Sequence, residues 1–192
     1  MTTSTPFPIR LGASSRYSME THFLSLGRED RRLRFGSAIS DELVRVYVRR
    51  IDFARDEVFA VSGHDLALLG VVHIASRDGA AELGLSVIPG ARGLGVGNAL
   101  FERAVMHLRN RGARTVFMHC LAENQAVMHL ARKHGMRIAY AGGESEAHLV
   151  LEAATAESFV TEWTRDQQAN ALEVLKRNAH IARRLVMLFA PG

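Results

Sequence analysis

The residues whose spacing carries the most chemistry run from Val87 to Leu100: Val87-Ile88-Pro89-Gly90-Ala91-Arg92-Gly93-Leu94-Gly95-Val96-Gly97-Asn98-Ala99-Leu100. An apolar run precedes them and a stretch of helical period follows. Glycines at alternate positions let backbone N–H groups point inward and leave no Cβ in a ligand's way. The start of a helix adds unpaired donors and the positive end of a dipole. Together these form a seat for a phosphate or pyrophosphate. Two common phosphate loops are excluded. G-x-G-x-x-G fails because Asn98 or Leu100 stands where its last glycine belongs, and no G-K-[ST] occurs. The pattern present is [Q/R]-x-x-G-x-G, filled by Arg92, Gly95 and Gly97.

Two further side chains sit where chemistry could use them. Glu82 is an acid in the otherwise apolar run Ala81 to Ile88, and His119 lies in the run Thr115 to Leu121. The histidines show no metal-ligand spacing, so no metal site is expected. The one cysteine, Cys120, has no internal disulfide partner and fits a reducing cytoplasm. It reads as an apolar filler rather than a nucleophile. The 192 residues, 47% apolar and 23% charged, describe a chain able to bury a core, and they exclude disorder and collagen-like repeats. The net charge is +4, and every basic residue except Lys133 and Lys176 is Arg. That charge suits an anionic ligand. The Arg residues are scattered and aromatics are few, which argues against nucleic acid as partner. Met1 to Pro8 is polar and shows no secretory signal. The longest apolar run, Leu66 to Val72, is too short to span a bilayer, so no membrane partner is expected.

These residues need elements to position them. Residues 1–20 read as an irregular lead-in, Thr21 to Leu26 as a first strand and Gly27 to Phe35 as a short helix. Ser40-Asp41-Glu42 is an N-cap with acids in the first turn, so a helix is expected over 41–53. Glu57–Val61, Leu66–Ser76 and Ala81–Ile88, parted by Gly63-His64-Asp65 and Arg77-Asp78-Gly79, form an antiparallel meander. Val96–Asn110 is a helix, Thr115–Leu121 a strand and Asn124–Lys133 a helix closed by Gly135. Met136–Ala141 and Ala147–Leu151 are strands around a Gly-Gly-Glu-Ser turn. The fold class is α/β: a mixed, mostly antiparallel sheet with a β-α-β-α core.

At this point the sequence resembles the GNAT superfamily of acetyl-CoA-dependent N-acetyltransferases. Beyond the glycine run, Ala81-Glu82-Leu83-Gly84-Leu85-Ser86-Val87 resembles the family's central strand. Asn124, Leu130, Lys133, Gly135 and Met136 resemble its second motif. The resemblance covers 57–151 well and 21–56 loosely. More faintly, Leu121-Ala122-Glu123-Asn124 through Met128, Leu130-Ala131 and Gly135, with Asp30-Arg31 and Arg34-Phe35, resembles the acetyltransferase domain of bacterial protein-lysine acetyltransferases.

The resemblance implies a GNAT-like fold and acetyl-CoA as cosubstrate. It implies that Leu85, Ser86 and Val87 bond the pantetheine arm along an open strand edge. Arg92, Gly93, Leu94, Gly95, Val96 and Gly97 would take the pyrophosphate. Asn124 would contact the cofactor or order the backbone beside it. A primary amine, of a small molecule or of a protein lysine or N-terminus, would attack the thioester directly. An ammonium with a pKa of about 10.4 must first lose a proton, and Glu82 or His119 stands where relatives carry that base. Many relatives have a Tyr seven residues after the Asn, protonating the thiolate; this chain has Ala131. Tyr140, Cys120 or water remain as substitutes, and a CoA-binding sensor that has lost turnover is the rival reading.

Two units are expected, an acetyltransferase domain over 1–154 and a helical extension over 155–192. In the extension Phe159, Trp163, Leu172, Leu175, Ala179, Ala182, Val186 and Phe189 are candidate buried positions opposite Arg177, Arg183 and Arg184, with a break near Asn178. Leu185 to Phe189 would otherwise be an exposed apolar patch, so pairing of two copies through this helix is expected.

Overall fold

The computed structural model describes residues 6–77 and 79–189, with no description of the side chains of Leu188 and Phe189. Asp78, named above as part of a turn, lies outside them, as does the side chain of Phe189. The strands are β1 (Ile9–Leu11), β2 (Glu57–Ser62), β3 (Leu68–Arg77), β4 (Ala80–Val87), β5 (Thr115–Leu121), β6 (Arg137–Ala141) and β7 (Glu144–Val150). The helices are α1 (Arg16–Ser25), α2 (Arg28–Phe35), α3 (Asp41–Arg50), α4 (Val96–Asn110), α5 (Gln125–Lys133) and α6 (Ala156–Phe189). One sheet runs in the order β1-β2-β3-β4-β5-β7-β6. Every pairing is antiparallel except β4 with β5. The expected α/β class, with a mostly antiparallel sheet and a C-terminal helix, is what the chain forms.

Alternation along the strands builds a core on each side of the sheet. Phe59, Val72, Ile74, Ala81 and Leu83 face α4 and α5, where Leu100, Phe101, Ala104 and Leu130 meet them. Val58, Ala60 and Val71 face the other way, onto Met19, Phe23, Val44 and Val48 of α1 and α3. Strand β4 therefore has helices over both faces.

The parallel pair is short. Ala80, Ala81 and Glu82 pair with Thr115, Val116 and Phe117, and the pairing stops there. From Leu83 onward β4 stays bound to β3 alone. The turn of Pro89–Ala91 and the first residues of α4 fill the mouth of the gap. Gly93 (φ 74°) and Gly95 (φ 78°) hold left-handed conformations that a side chain would strain.

Three expectations are corrected. Thr21–Leu26 is not a strand; most of it belongs to α1, which begins inside the supposed lead-in, and the first strand is Ile9–Leu11. The reason is that Met19, Phe23 and Leu26 fall at helical spacing and are all buried. Strand β7 starts at Glu144 rather than Ala147. Gly142 and Gly143 alone make the turn, both at positive φ (58° and 89°), which suits a two-residue hairpin. Finally, α6 runs unbroken through Asn178, and its packed face is polar. Phe159, Trp163, Leu175 and Val186 are exposed, and so are Ala179 and Ala182; Leu172 is half-buried. Among the described side chains of α6 only Ala169 is fully buried. Charge docks the helix instead. Arg103 of α4 donates to Glu162 (2.7 Å) and Asp166 (2.6 Å), and its guanidinium lies 4.3 Å from the Phe59 ring centre. His107 and Asn110 also bond Glu162, both at 2.6 Å. Burial pushes the Glu162 carboxyl up, but these hydrogen bonds and the Arg103 charge outweigh it and hold its pKa at about 2.

Candidate active site

A cleft of about 610 Å³ opens where β4 leaves β5. Its walls include Leu85, Ser86 and Val87, the turn and helix start from Arg92 to Asn98 apart from Leu94, and Asn124 with the first turns of α5. Leu94 is exposed on the rim.

The backbone of β4 determines what the cleft is offered. The Ile88 N–H donates to Leu69 O of β3 at 2.9 Å. Peptide groups alternate sides along a strand. Ser86 and Gly84 therefore face β3 with their main chains, while Leu85 and Val87 present N–H and C=O to the gap. At the mouth, a Cβ built on Gly93 or Gly95 would meet no protein atom within 4 Å. The first N–H groups of α4 have no partner within the helix, and Val96, Gly97 and Asn98, which carry them, line this space. The geometry fits an extended amide-bearing arm against β4 and an anionic group at the mouth. Cations stand around it. Arg92 donates to Asp30 of α2 (2.6 Å), and Lys133 donates to Asn98 Oδ1 (2.5 Å).

Asn124 is buried and caps α5. Its Oδ1 accepts from the Val127 N–H (3.2 Å) and its Nδ2 donates to Leu33 O of α2 (3.3 Å). It joins the two walls of the cleft.

The face of β4 turned toward α1 and α2 carries Glu82, Gly84 and Ser86. Glu82 and His119 meet there, with His119 Nδ1 3.4 Å from Glu82 Oε1. The row continues across the sheet. His119 Nε2 bonds one oxygen of Glu146 on β7, and His148 Nε2 bonds the other. All four side chains are partly open to water. Partial desolvation raises the Glu146 carboxyl, but bonds from two imidazoles outweigh it and leave its pKa lowered. An ionised Glu146 only accepts, so His119 Nε2 donates to it, and Nδ1 faces Glu82.

Ser86 has a different partner. His22 of α1 is buried, with Nδ1 2.9 Å from Leu68 O and Nε2 2.8 Å from Ser86 Oγ. A carbonyl only accepts, so Nδ1 donates and Nε2 accepts the Ser86 hydroxyl proton. Burial, aided by the Arg34 charge, overcomes the carbonyl bond and pushes His22 down to about 4, which keeps it neutral.

Ala131 is fully buried in the core under α5. Neither Tyr140, exposed on β6, nor Cys120, buried against Met128, lines the cleft. Burial raises the Cys120 thiol pKa, as suits an inert filler. Among the described residues no cluster of three or more His, Cys, Asp or Glu is placed to hold a metal.

Glu146, His148 and His22 carry no motif that points to this site, and Arg34 enters the sequence analysis only through the Arg34-Phe35 pair of the fainter resemblance. Glu146 falls between the expected Gly-Gly-Glu-Ser turn and the strand expected from Ala147, whereas it lies in β7 in register opposite His119. Its one available signal was the alternation Glu144, Glu146, His148. His22 was placed in a strand, and nothing local points it at Ser86.

Comparisons with known proteins agree with this geometry. In 51 residues the chain is 45% identical to the mycothiol acetyltransferase of Cellulomonas flavigena, over 27% of this chain and 15% of that protein. The chain thus matches a small part of that relative's length. Its fold is that of the GNAT domain of PAT from S. lividans (TM-score 0.65, 17% identity, 75% of this chain and 89% of that one). It is also that of the spermidine N-acetyltransferase from Vibrio cholerae, solved with CoA and spermine (TM-score 0.59, 18% identity, 75% and 95%). Residues 24–136, more than half of the chain and spanning the central strand, the glycine turn and the Asn124 motif, match the model of the acetyltransferase (GNAT) family; the chain belongs to that family.

Proposed function

We propose that this acyltransferase moves an acetyl group from acetyl-CoA to a primary amine by direct attack within a ternary complex. The observation that carries the reading is the parting of β4 from β5 directly after Glu82: it opens a cleft with a phosphate seat at its mouth, and the Glu82–His119 pair stands where the two strands part. When bound, acetyl-CoA supplies an activated carbonyl with a thiolate leaving group. Leu85 with its N–H and C=O, and Val87 with its C=O, hold the pantetheine amides. The Arg92–Gly97 backbone takes the pyrophosphate.

The amine arrives as an ammonium. Its proton passes to the pair, shared between Glu82 Oε1 and His119 Nδ1. Glu146 on the far nitrogen favours the imidazolium that forms, and His148 and water lie beyond it. The Val87 N–H, pointing into the gap, donates to the carbonyl oxygen as charge develops there. The C–S bond breaks as the nitrogen sheds its second proton to water, and the departing thiolate, whose thiol has a pKa of about 8.5, is protonated from water without a dedicated acid. The buried Ala131 supplies none, and this favours the second reading, a CoA-binding sensor.

Calorimetry with acetyl-CoA, followed by thiol release over a panel of amines, tests both. Heat and turnover are expected. Heat without turnover on any amine favours the sensor, and no heat with CoA or acetyl-CoA ends both readings.

The same reading divides the chain into a catalytic unit over 1–154 and an extension over 155–192. It pairs two copies through the exposed apolar residues of α6, around Phe159, Trp163 and Leu185. Light scattering should give twice the chain mass; a monomer with and without CoA refutes the pairing. Among the described residues no helix is long and apolar enough to cross a membrane. Together with the lone buried Cys120, this supports a cytoplasmic location.

A further inference from the structure

Arg34, at the inner end of the cleft, has no task in the reading above. Its guanidinium lies flat on the main chain of Gly84. A Cβ built at Gly84 would fall 2.1 Å from Nη2 and 2.4 Å from Cζ. Around it stand the rings of Phe35 (4.8 Å to Cζ), Tyr47 (5.6 Å) and Phe23 (5.9 Å). Its one hydrogen bond among the described residues is from Nη2 to the Tyr47 hydroxyl, at 2.8 Å. That hydroxyl is held in turn by His73 Nδ1 (2.8 Å), whose Nε2 faces Asp56 (3.2 Å). No carboxylate of the described residues lies within ion-pair distance of Arg34, although on the same helix Arg31 pairs with Asp41 and Arg32 with Glu29 and Glu123. Nε is buried without a partner.

A cation withdrawn from water is costly unless paired. Here the aromatic box offsets part of the cost, and Tyr47 takes one of five donors. The rest of the fork is left over. Arg34 lines the cleft. Its perch on Gly84 puts it on the face of β4 that carries Glu82, one alternate residue away, or roughly 6.6 Å along the strand. A planar fork with free donors is matched by a carboxylate.

We infer that Arg34 binds a carboxylate of the acceptor, so that the acetylated molecule carries its amine and a carboxylate within a few bonds of each other, as a free amino acid does. The inference rests on the acetyltransferase reading: the amine addresses Glu82 and His119 while the carboxylate lies against Arg34. Free polyamines, which are cationic throughout, are disfavoured by the same charge.

The test compares each of the common amino acids with its C-terminal amide, and with spermidine, by thiol release from acetyl-CoA. Acetyl-CoA binding is measured separately by calorimetry. At least one acid should be preferred over its amide by ~10- to 100-fold in kcat/KM, mostly through KM. In Arg34→Gln that preference should fall to about one, with acetyl-CoA affinity within about twofold of the parent. Gly84→Ala keeps the charge but lifts the fork off the strand, so it should weaken the preference too. If Arg34→Gln fails to fold by circular dichroism, the Gly84→Ala result decides. Amides or spermidine accepted as well as acids, a preference that survives both variants, or turnover of amides or spermidine but of none of the acids, each overturns the inference and leaves the acetyltransferase reading standing; acetyl-CoA binding with no turnover at all overturns it in favour of the sensor. Absence of heat with acetyl-CoA removes the parent reading instead.

Discussion

The open edge of β4 and the face of β4 turned to α1 and α2 are parts of one strand, yet they are built from different material. Along the edge the useful groups are main-chain N–H and C=O of Leu85 and Val87, continued by the turn from Arg92 to Gly97. On the face they are side chains, Glu82, Ser86 and the guanidinium over Gly84, each held by a residue far away in the chain. The edge needs only permissive residues, so many sequences can form it, whereas each contact on the face depends on one particular partner. The edge suits a ligand common to a whole family, and the face suits the part that varies with the acceptor.

Mutations should break the two parts differently. The largest effect is expected at the edge. Gly95→Val places a β-branched residue at φ 78° and fills space that no protein atom occupies, so calorimetry should detect no acetyl-CoA binding. Retained affinity would show that the seat is elsewhere. Glu82→Gln, on the face, should lower kcat by ~100-fold or more and flatten its rise with pH, with acetyl-CoA affinity near that of the parent. Unchanged kinetics would leave His119 as the base.

The pH dependence of stability probes how the face is held. His22 is pushed from 6.5 to about 4 in the folded chain. Between those values the unfolded chain binds more protons. Stability from this group is therefore complete above about pH 6.5 and is lost as pH falls toward 4, a loss of about 3 kcal/mol. Melting between pH 7 and 4.5 should show the fall, and His22→Gln should flatten it. An identical slope in the variant would place the acid sensitivity elsewhere. The smallest effect is expected at Glu146→Gln, because its row is open to water. A rate loss of about threefold with a lowered kinetic pKa would fit its place behind His119; a loss as large as that of Glu82→Gln would make it a partner of equal weight.

Much of the edge was readable in advance. Glycine spacing, the helix over 96–110 and the strand over 115–121 depend on local rules, and the chain obeys them. The face was less so. Glu82 and His119 were each picked out, but as alternatives; only the parallel pairing of β4 with β5 makes them neighbours. Glu146 was hidden by a strand boundary placed three residues late. No local pattern points Arg34 or His22 at β4, since an Arg in a charged helix and a His beside an apolar residue read as surface and core. The extension misled in the opposite way. Its apolar residues predicted burial, but Arg103 and His107 on α4 claim the acidic face of α6 and turn the apolar one outward.

What the sequence by itself determined is the set of local structures and the phosphate seat: backbone conformation there follows from glycines, caps and hydrophobic period within a few residues. What only the tertiary structure decided is which side chains meet. The Glu82–His119–Glu146 row, the His22–Ser86 bond and the seat of Arg34 on Gly84 join residues 37, 27, 64 and about 50 positions apart. Sheet order and register set those distances, and both come from packing the whole chain at once rather than from any stretch of it.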